Sequence, residues 1–214
     1  MARLQNPKGE GVRLRENMVA AASELLFAPQ PPAVPSLRAV ARKCGVSPTA
    51  VYLHFSSQEQ LIQAVVEDLN SRFAAHLADA DDLTLPVTER LERRAIAYVE
   101  WGFGNAGAYQ LLFESKDRLD LPPHDRNQGP AWEIIVHTAE LLADLASTDT
   151  EHALRWATRL WVALHGLVSL RIHKTDHDWP DEAIPAAYDI VHLHVAAVSR
   201  SPADHDSGIG GSRG

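Results

Sequence analysis

The 214-residue sequence predicts an all-α protein. Apolar residues recur at three- and four-residue spacing in segment after segment, Ser, Pro and Gly stand where helices begin and end, and no alternation of useful length reads as a strand. An apolar content of 45% supplies a real core, and the single cysteine, Cys44, excludes an internal disulfide framework and fits a reducing compartment. No apolar run approaches the roughly 20 residues that cross a bilayer, and MARLQNPKGEGVRLRENM at the N-terminus is unlike a signal peptide. A soluble, cytoplasmic protein with no membrane partner is expected.

The first helix is VRLRENMVAAASELLF, with Val12, Met18, Val19, Ala22, Leu25 and Leu26 as its apolar repeat; it stops before PQPPAVP, whose prolines cannot continue it. Ser36 then caps a short second helix, LRAVARKC, which ends at Gly45. Ser47 caps a third in VSPTAVYLHF, with Pro48 at the first helical position. Ser56 or Ser57, followed by Glu59 and Gln60, opens a long fourth helix over 58–80, whose stripe is Leu61, Val65, Leu69, Phe73 and Leu77. Five more helices are expected near 87–103, 106–114, 130–146, 151–173 and 183–199. The end of the chain, 201–214, lacks apolar mass and is expected to be disordered.

Charge divides the chain unevenly. Residues 1–57 hold seven Lys or Arg against three acids, a net +4, so the rest carries −12 of the total −8. A basic N-terminal quarter on an acidic body can dock to a polyanion while the body avoids it. Within that quarter, about 100° per residue puts Val51 and Phe55 on one face of the third helix, towards Val40, Ala41 and Val46. Thr49 and Leu53 then point away, flanked by Tyr52 and by Ala50, which is small enough to let the backbone lie close to a partner. Two short helices joined by a glycine turn, the second with a narrow polar outer face, form the arrangement that inserts into a DNA major groove.

The run SLRAVARKCGVSPTAVYLHFSSQEQL, with RENMVAAASELLF before it, resembles the N-terminal domain of the TetR family of one-component transcriptional regulators. The resemblance covers residues 13 to about 66. It implies a three-helix helix-turn-helix domain over 1–57, a linking helix over 58–80, a helical effector-binding and dimerisation domain over 58–200, and a homodimer on a palindromic double-stranded DNA operator. Position by position, Ser36 and Ser47 would meet phosphates at helix starts, the latter beside Pro48, with Arg38 and Arg42 as further phosphate contacts. Thr49 and Leu53 would face base edges, Ala50 beside them, and Tyr52 and His54 would hold the backbone. Gln58 stands where many members carry Lys, which weakens or removes one phosphate contact, and Leu53 suggests apolar contact with a thymine methyl.

In the second half, ALRWATRLWVALHGLVSLRIHK resembles the Trp-x-x-x-His-Gly type of TetR-family C-terminal domain, and NAGAYQLLFES its short earlier helix. That implies a four-helix dimer bundle made by the last two long helices and their symmetry mates. Trp101, Phe103, Tyr109, Phe113, Trp132 and Trp156 are candidates to line the cavity of a small apolar or aromatic effector. GFGNAG, residues 102–107, matches a dinucleotide-binding pattern in letters, but it follows a helix and no strands support it. His192 and His194 face apart on a helix, and His173 and His177 lack a third ligand, so no cofactor or metal is expected. Cys44 is expected to be a small buried residue. Other readings are a small helical cofactor- or metal-dependent enzyme and a helical protein-binding adaptor; a DNA-binding repressor released by an effector, and no catalysis, is the expected function.

Overall fold

Helices make up the regular structure throughout residues 10–27, 34–114 and 130–200, the parts of the chain that the computed structural model describes. They are α1 (Glu10–Phe27), α2 (Leu37–Cys44), α3 (Pro48–Tyr52), α4 (Gln58–Asp79), α5 (Val87–Gly104), α6 (Ala106–Phe113), α7 (Pro130–Ala146), α8 (Thr150–His173) and α9 (Ala183–Arg200). No strand occurs among the described residues. The C-terminal tail expected to be disordered, 201–214, lies outside them.

Packing divides the chain into two compact units. The first takes the chain up to Phe73 together with the α6 region, and the second takes Ala74–Gly104 with α7, α8 and α9. The sequence draws its line at residue 57 instead. The difference follows from α4, whose first four turns place Leu61, Val65, Leu69 and Phe73 in the first unit at 4% exposure or less. It follows equally from α6, where Phe113 meets Phe73 edge-on at 5.8 Å and Tyr109 at 4.8 Å.

In the first unit α1 packs on α2 and α2 on α3. Met18, Val19, Ala22 and Leu26 of α1 are buried, as are Leu37, Val40 and Ala41 of α2. Val12, read as part of the same apolar repeat, is instead 64% exposed. It lies in the first turn of α1, two turns before Val19, where burial of that face begins. The second unit brings α7 against α8, α5 against α9, and α8 against α9. Leu91, Tyr98, Leu142, Leu160, Val168 and Val191 are among its buried side chains.

Candidate nucleic-acid interface and ligand cavity

The turn between α2 and α3 is built by two helix ends. Gly45 sits in the left-handed region at φ 68°, its N–H donates to Arg42 O at 3.2 Å, and the Val46 N–H reaches back to Ala41 O at 3.0 Å. This paired closure satisfies carbonyls that the end of α2 would otherwise leave open, and it needs a residue without a Cβ penalty. Two residues later Ser47, extended at φ −69° and ψ 149°, accepts the Ala50 N–H at 3.2 Å, with Pro48 next at the first helical position. Ser36 does the same for α2, accepting from Ala39 at 3.2 Å. Each hydroxyl accepts from its own helix and keeps its proton to donate elsewhere.

Regular winding of α3 ends at Tyr52 rather than running to Phe55 as the sequence suggests. The last turn tightens: both the His54 and the Phe55 N–H donate to Val51 O at 2.9 Å. Val51 and Phe55 are fully buried, while Leu53 is 81% and Tyr52 54% exposed. Pro48, Thr49 and Ser47 are exposed too, and Ala50 and His54 are half-buried. Val46 is half-buried, so it closes the core only in part. The outer side of α3 thus shows backbone, small groups, a hydroxyl, a phenol and one isobutyl group.

Charge around this surface is sorted by partner. Arg38 and Arg42 are exposed one turn apart on α2. Lys43 pairs with Glu24 of α1 at 2.7 Å, and the Arg15 guanidinium lies 5.1 Å from the centre of the Phe55 ring. Cys44, expected to be buried, is half-buried, with its thiol 3.7 Å from Asn17 O. Burial raises that thiol above its ordinary value, outweighing the nearby Lys43, so it is not poised as a thiolate.

In the second unit a cavity of about 40 Å³ lies among α4, α5, α7 and α8, lined by residues that include Leu77, Leu91, Arg94, Tyr98, Ile134 and Trp161. None of the six aromatics assigned to an effector pocket lines it. Tyr109 and Phe113 belong to the core of the first unit, as described above. Trp156 donates to His152 Nε2 at 3.1 Å, lies under the Arg159 guanidinium at 4.5 Å and meets His194 edge-on. Trp101 is buried, Phe103 is 38% exposed, and Trp132 is half-buried on α7. Tyr98 and Trp161 supply the aromatic part of the cavity walls, which are otherwise mostly aliphatic.

Residues 19–65 match the family model for bacterial regulatory proteins of the tetR family, and residues 91–197 match that for the tetracyclin repressor-like C-terminal domain. The chain belongs to the TetR family. Like its family, it is a DNA-binding transcriptional regulator. Solved structures share the fold: a Rhodococcus sp. RHA1 protein of unknown function has a TM-score of 0.72 and 20% identity over 92% of this chain and 100% of its own. A TetR-like regulator from the same organism has a TM-score of 0.59 and 20% identity, over 86% and 93%. The fatty acid degradation regulator FadR of Bacillus halodurans has 0.64 and 14%, over 90% and 97%. No curated protein sequence matches the chain.

Several further contacts hold this TetR-family chain's helix ends in place. Gln58, in place of the frequent Lys, donates its amide to Val34 O at 3.3 Å and Pro35 O at 3.0 Å, tying the start of α4 to the segment that enters α2. Both serines before α4 are used: Ser57 accepts the Gln60 N–H, and the Gln60 side chain returns to the Ser56 N–H at 2.7 Å. The glycines of GFGNAG lie in α5 and α6, and a Cβ on Gly107 would stand 2.9 Å from the Phe27 ring, so its smallness serves packing. Among the described residues no three His, Cys, Asp or Glu side chains gather as metal ligands, and no helix is long and apolar enough to cross a membrane.

Sequence reasoning missed a buried charged cluster in the second unit. Asp81 is gripped by Arg90 at 2.6 and 3.2 Å, by His137 Nε2 at 2.8 Å and more distantly by Arg94 at 3.5 Å. The Arg90 bonds, aided by His137 and Arg94, hold its carboxyl at about 2 despite the opposing effect of burial. A signal was present: Arg94 falls between Leu91 and Tyr98 on the apolar face of α5, where a charge is costly unless matched.

Proposed function

We propose that the protein is a homodimeric, non-enzymatic repressor that binds a palindromic operator through the outer side of α3 and leaves it when a small effector enters the α5–α7–α8 cavity. The division of α3 carries this reading: Val51 and Phe55 are spent on the core, and Thr49, Tyr52 and Leu53 are left outside it. Thr49 and Leu53 read base edges, with Ala50 allowing close approach. Ser36, Arg38, Arg42, Ser47, Tyr52 and His54 contact sugar and phosphate beside Pro48, and Gln58 contributes no phosphate contact.

The dimer forms through α8 and α9. Val162, Gly166 and Leu170 recur every four residues on α8, with Val162 55% and Leu170 52% exposed; on α9 Leu193 is 68% exposed. A Cβ on Gly166 would meet nothing within 4 Å in its own chain, so the bare backbone there is open to a second copy. Such a stripe of exposed apolar side chains is what a bundle of two helix pairs buries.

Release follows from α4, which contributes Leu61 to Phe73 to the first unit and Leu77 to the cavity. At about 40 Å³ the cavity has room for about three waters at ~10–15 Å³ each, so a ring-sized effector must part the helices around it. Because a ligand with equal affinity for both states shifts nothing, the effector acts by preferring the parted state. Fluorescence anisotropy of the full chain on labelled duplex from upstream of its own gene tests the proposal. Saturable binding that weakens as salt rises supports it; absence of binding, with a partner protein co-purifying, favours the adaptor.

A further inference from the structure

The cavity has a charged end that its apolar walls do not match. Arg94 lies on the inward face of α5 with its side chain 8% exposed, and it borders the cavity beside Leu91 and Tyr98. A guanidinium offers five N–H donors. Among the described residues those engaged are on Nη1, to Leu77 O at 3.3 Å and Asp81 Oδ2 at 3.5 Å. Asp81 is already committed, Oδ1 to Arg90 Nε at 2.6 Å, and Oδ2 to Arg90 Nη2 at 3.2 Å and His137 Nε2 at 2.8 Å. One carboxylate therefore serves two guanidiniums and an imidazole. The nearby acids Glu140 and Asp144 are exposed and face His137 and Arg90. Burial pulls the Arg94 guanidinium below its ordinary value, and Asp81 offsets this only in part.

On the reading that this cavity takes the effector, we infer that the effector is an organic anion, a small carboxylate whose head pairs with Arg94 and whose apolar body lies against Leu91, Tyr98 and Trp161. A carboxylate takes two parallel N–H donors from one guanidinium, which the free edge of Arg94 can supply. The aliphatic walls give such a ligand affinity, and the single cation gives it direction.

Three probes that share one ring separate the possibilities: benzoate, its isosteric neutral amide benzamide, and toluene, each titrated calorimetrically into the full-length protein. Benzoate is expected to bind about ten-fold or more tighter than the other two, as one well-placed charged hydrogen-bond pair provides. Arg94→Gln removes that preference, bringing the benzoate and benzamide affinities together. Should Arg94→Gln not fold, Arg94→Lys, which keeps the charge but not the paired donors, lowers benzoate affinity alone. Equal binding of benzoate and benzamide, a preference for toluene, or a benzoate preference that survives both substitutions overturns the anion inference and leaves the effector cavity standing. Heat from none of the three overturns the effector-cavity reading itself.

Discussion

At the scale of single residues, the proposed function makes the exposed side of α3 separate positioning from recognition. Tyr52→Ala is expected to weaken binding to every duplex by a similar factor. Thr49→Ala or Leu53→Ala is expected to change which sequence is preferred, by about 1–3 kcal/mol at the affected base pair; anisotropy titrations on operator variants distinguish the two patterns. Asp81 makes a separate claim about stability. Its folded-state value of about 2 lies below the ordinary 3.8. A depressed carboxyl stabilises the fold above its unfolded value and loses that contribution as pH falls through the folded one. Asp81→Asn should therefore cost about 2 kcal/mol near pH 7, with the gap to the parent closing as pH falls from 4 to 2, read from urea midpoints. The outward residues of α3 were legible because a 100° step fixes which side of a helix faces a core. Whether any of the six aromatics lines an effector site was not legible, because an aromatic at helical spacing fits a core and a cavity equally well. Arg94 was overlooked because its partner Asp81 lies in a turn on another part of the chain, and sequence spacing does not bring the two together.

At the scale of elements, the helix-turn-helix depends on two local devices that were visible in the letters CGVSP. Gly45→Ala places a side chain at φ 68°, where a Cβ meets nothing within 4 Å but the backbone is strained. The expected loss is about 1–2 kcal/mol. Ser47→Ala removes the cap on Ala50 and should cost about 1 kcal/mol. Denaturant melts followed by circular dichroism measure both, and no change in either variant would contradict the role of the turn. The α4 stripe was legible because it holds four-residue spacing over five positions, all of them buried. The end of α3 was misplaced by three residues, since whether a last turn stays regular is decided by tertiary packing around Val51 and Phe55 rather than by propensity. Val12 shows the same limit from the other side, as an apolar residue in the right periodicity with nothing packed over it.

At the scale of the whole molecule, the proposed function requires two copies. Gly166→Leu should leave the fold of one chain intact, since the first of its added carbons, Cβ, meets nothing within 4 Å there and glycine is a poor helix former. The dimer should dissociate, as seen by sedimentation, and operator affinity should fall with it. The sequence could not draw the packing boundary within α4, because a continuous helix gives no composition break where its buried neighbours change. The central claim is that paired copies of α3 present their outer sides to one duplex. Selection of bound duplexes from a random pool tests it most directly. An inverted repeat with half-site centres about 34–36 Å apart or a multiple of that is expected, and enrichment of a single unrepeated site, or of no sequence at all, would contradict it.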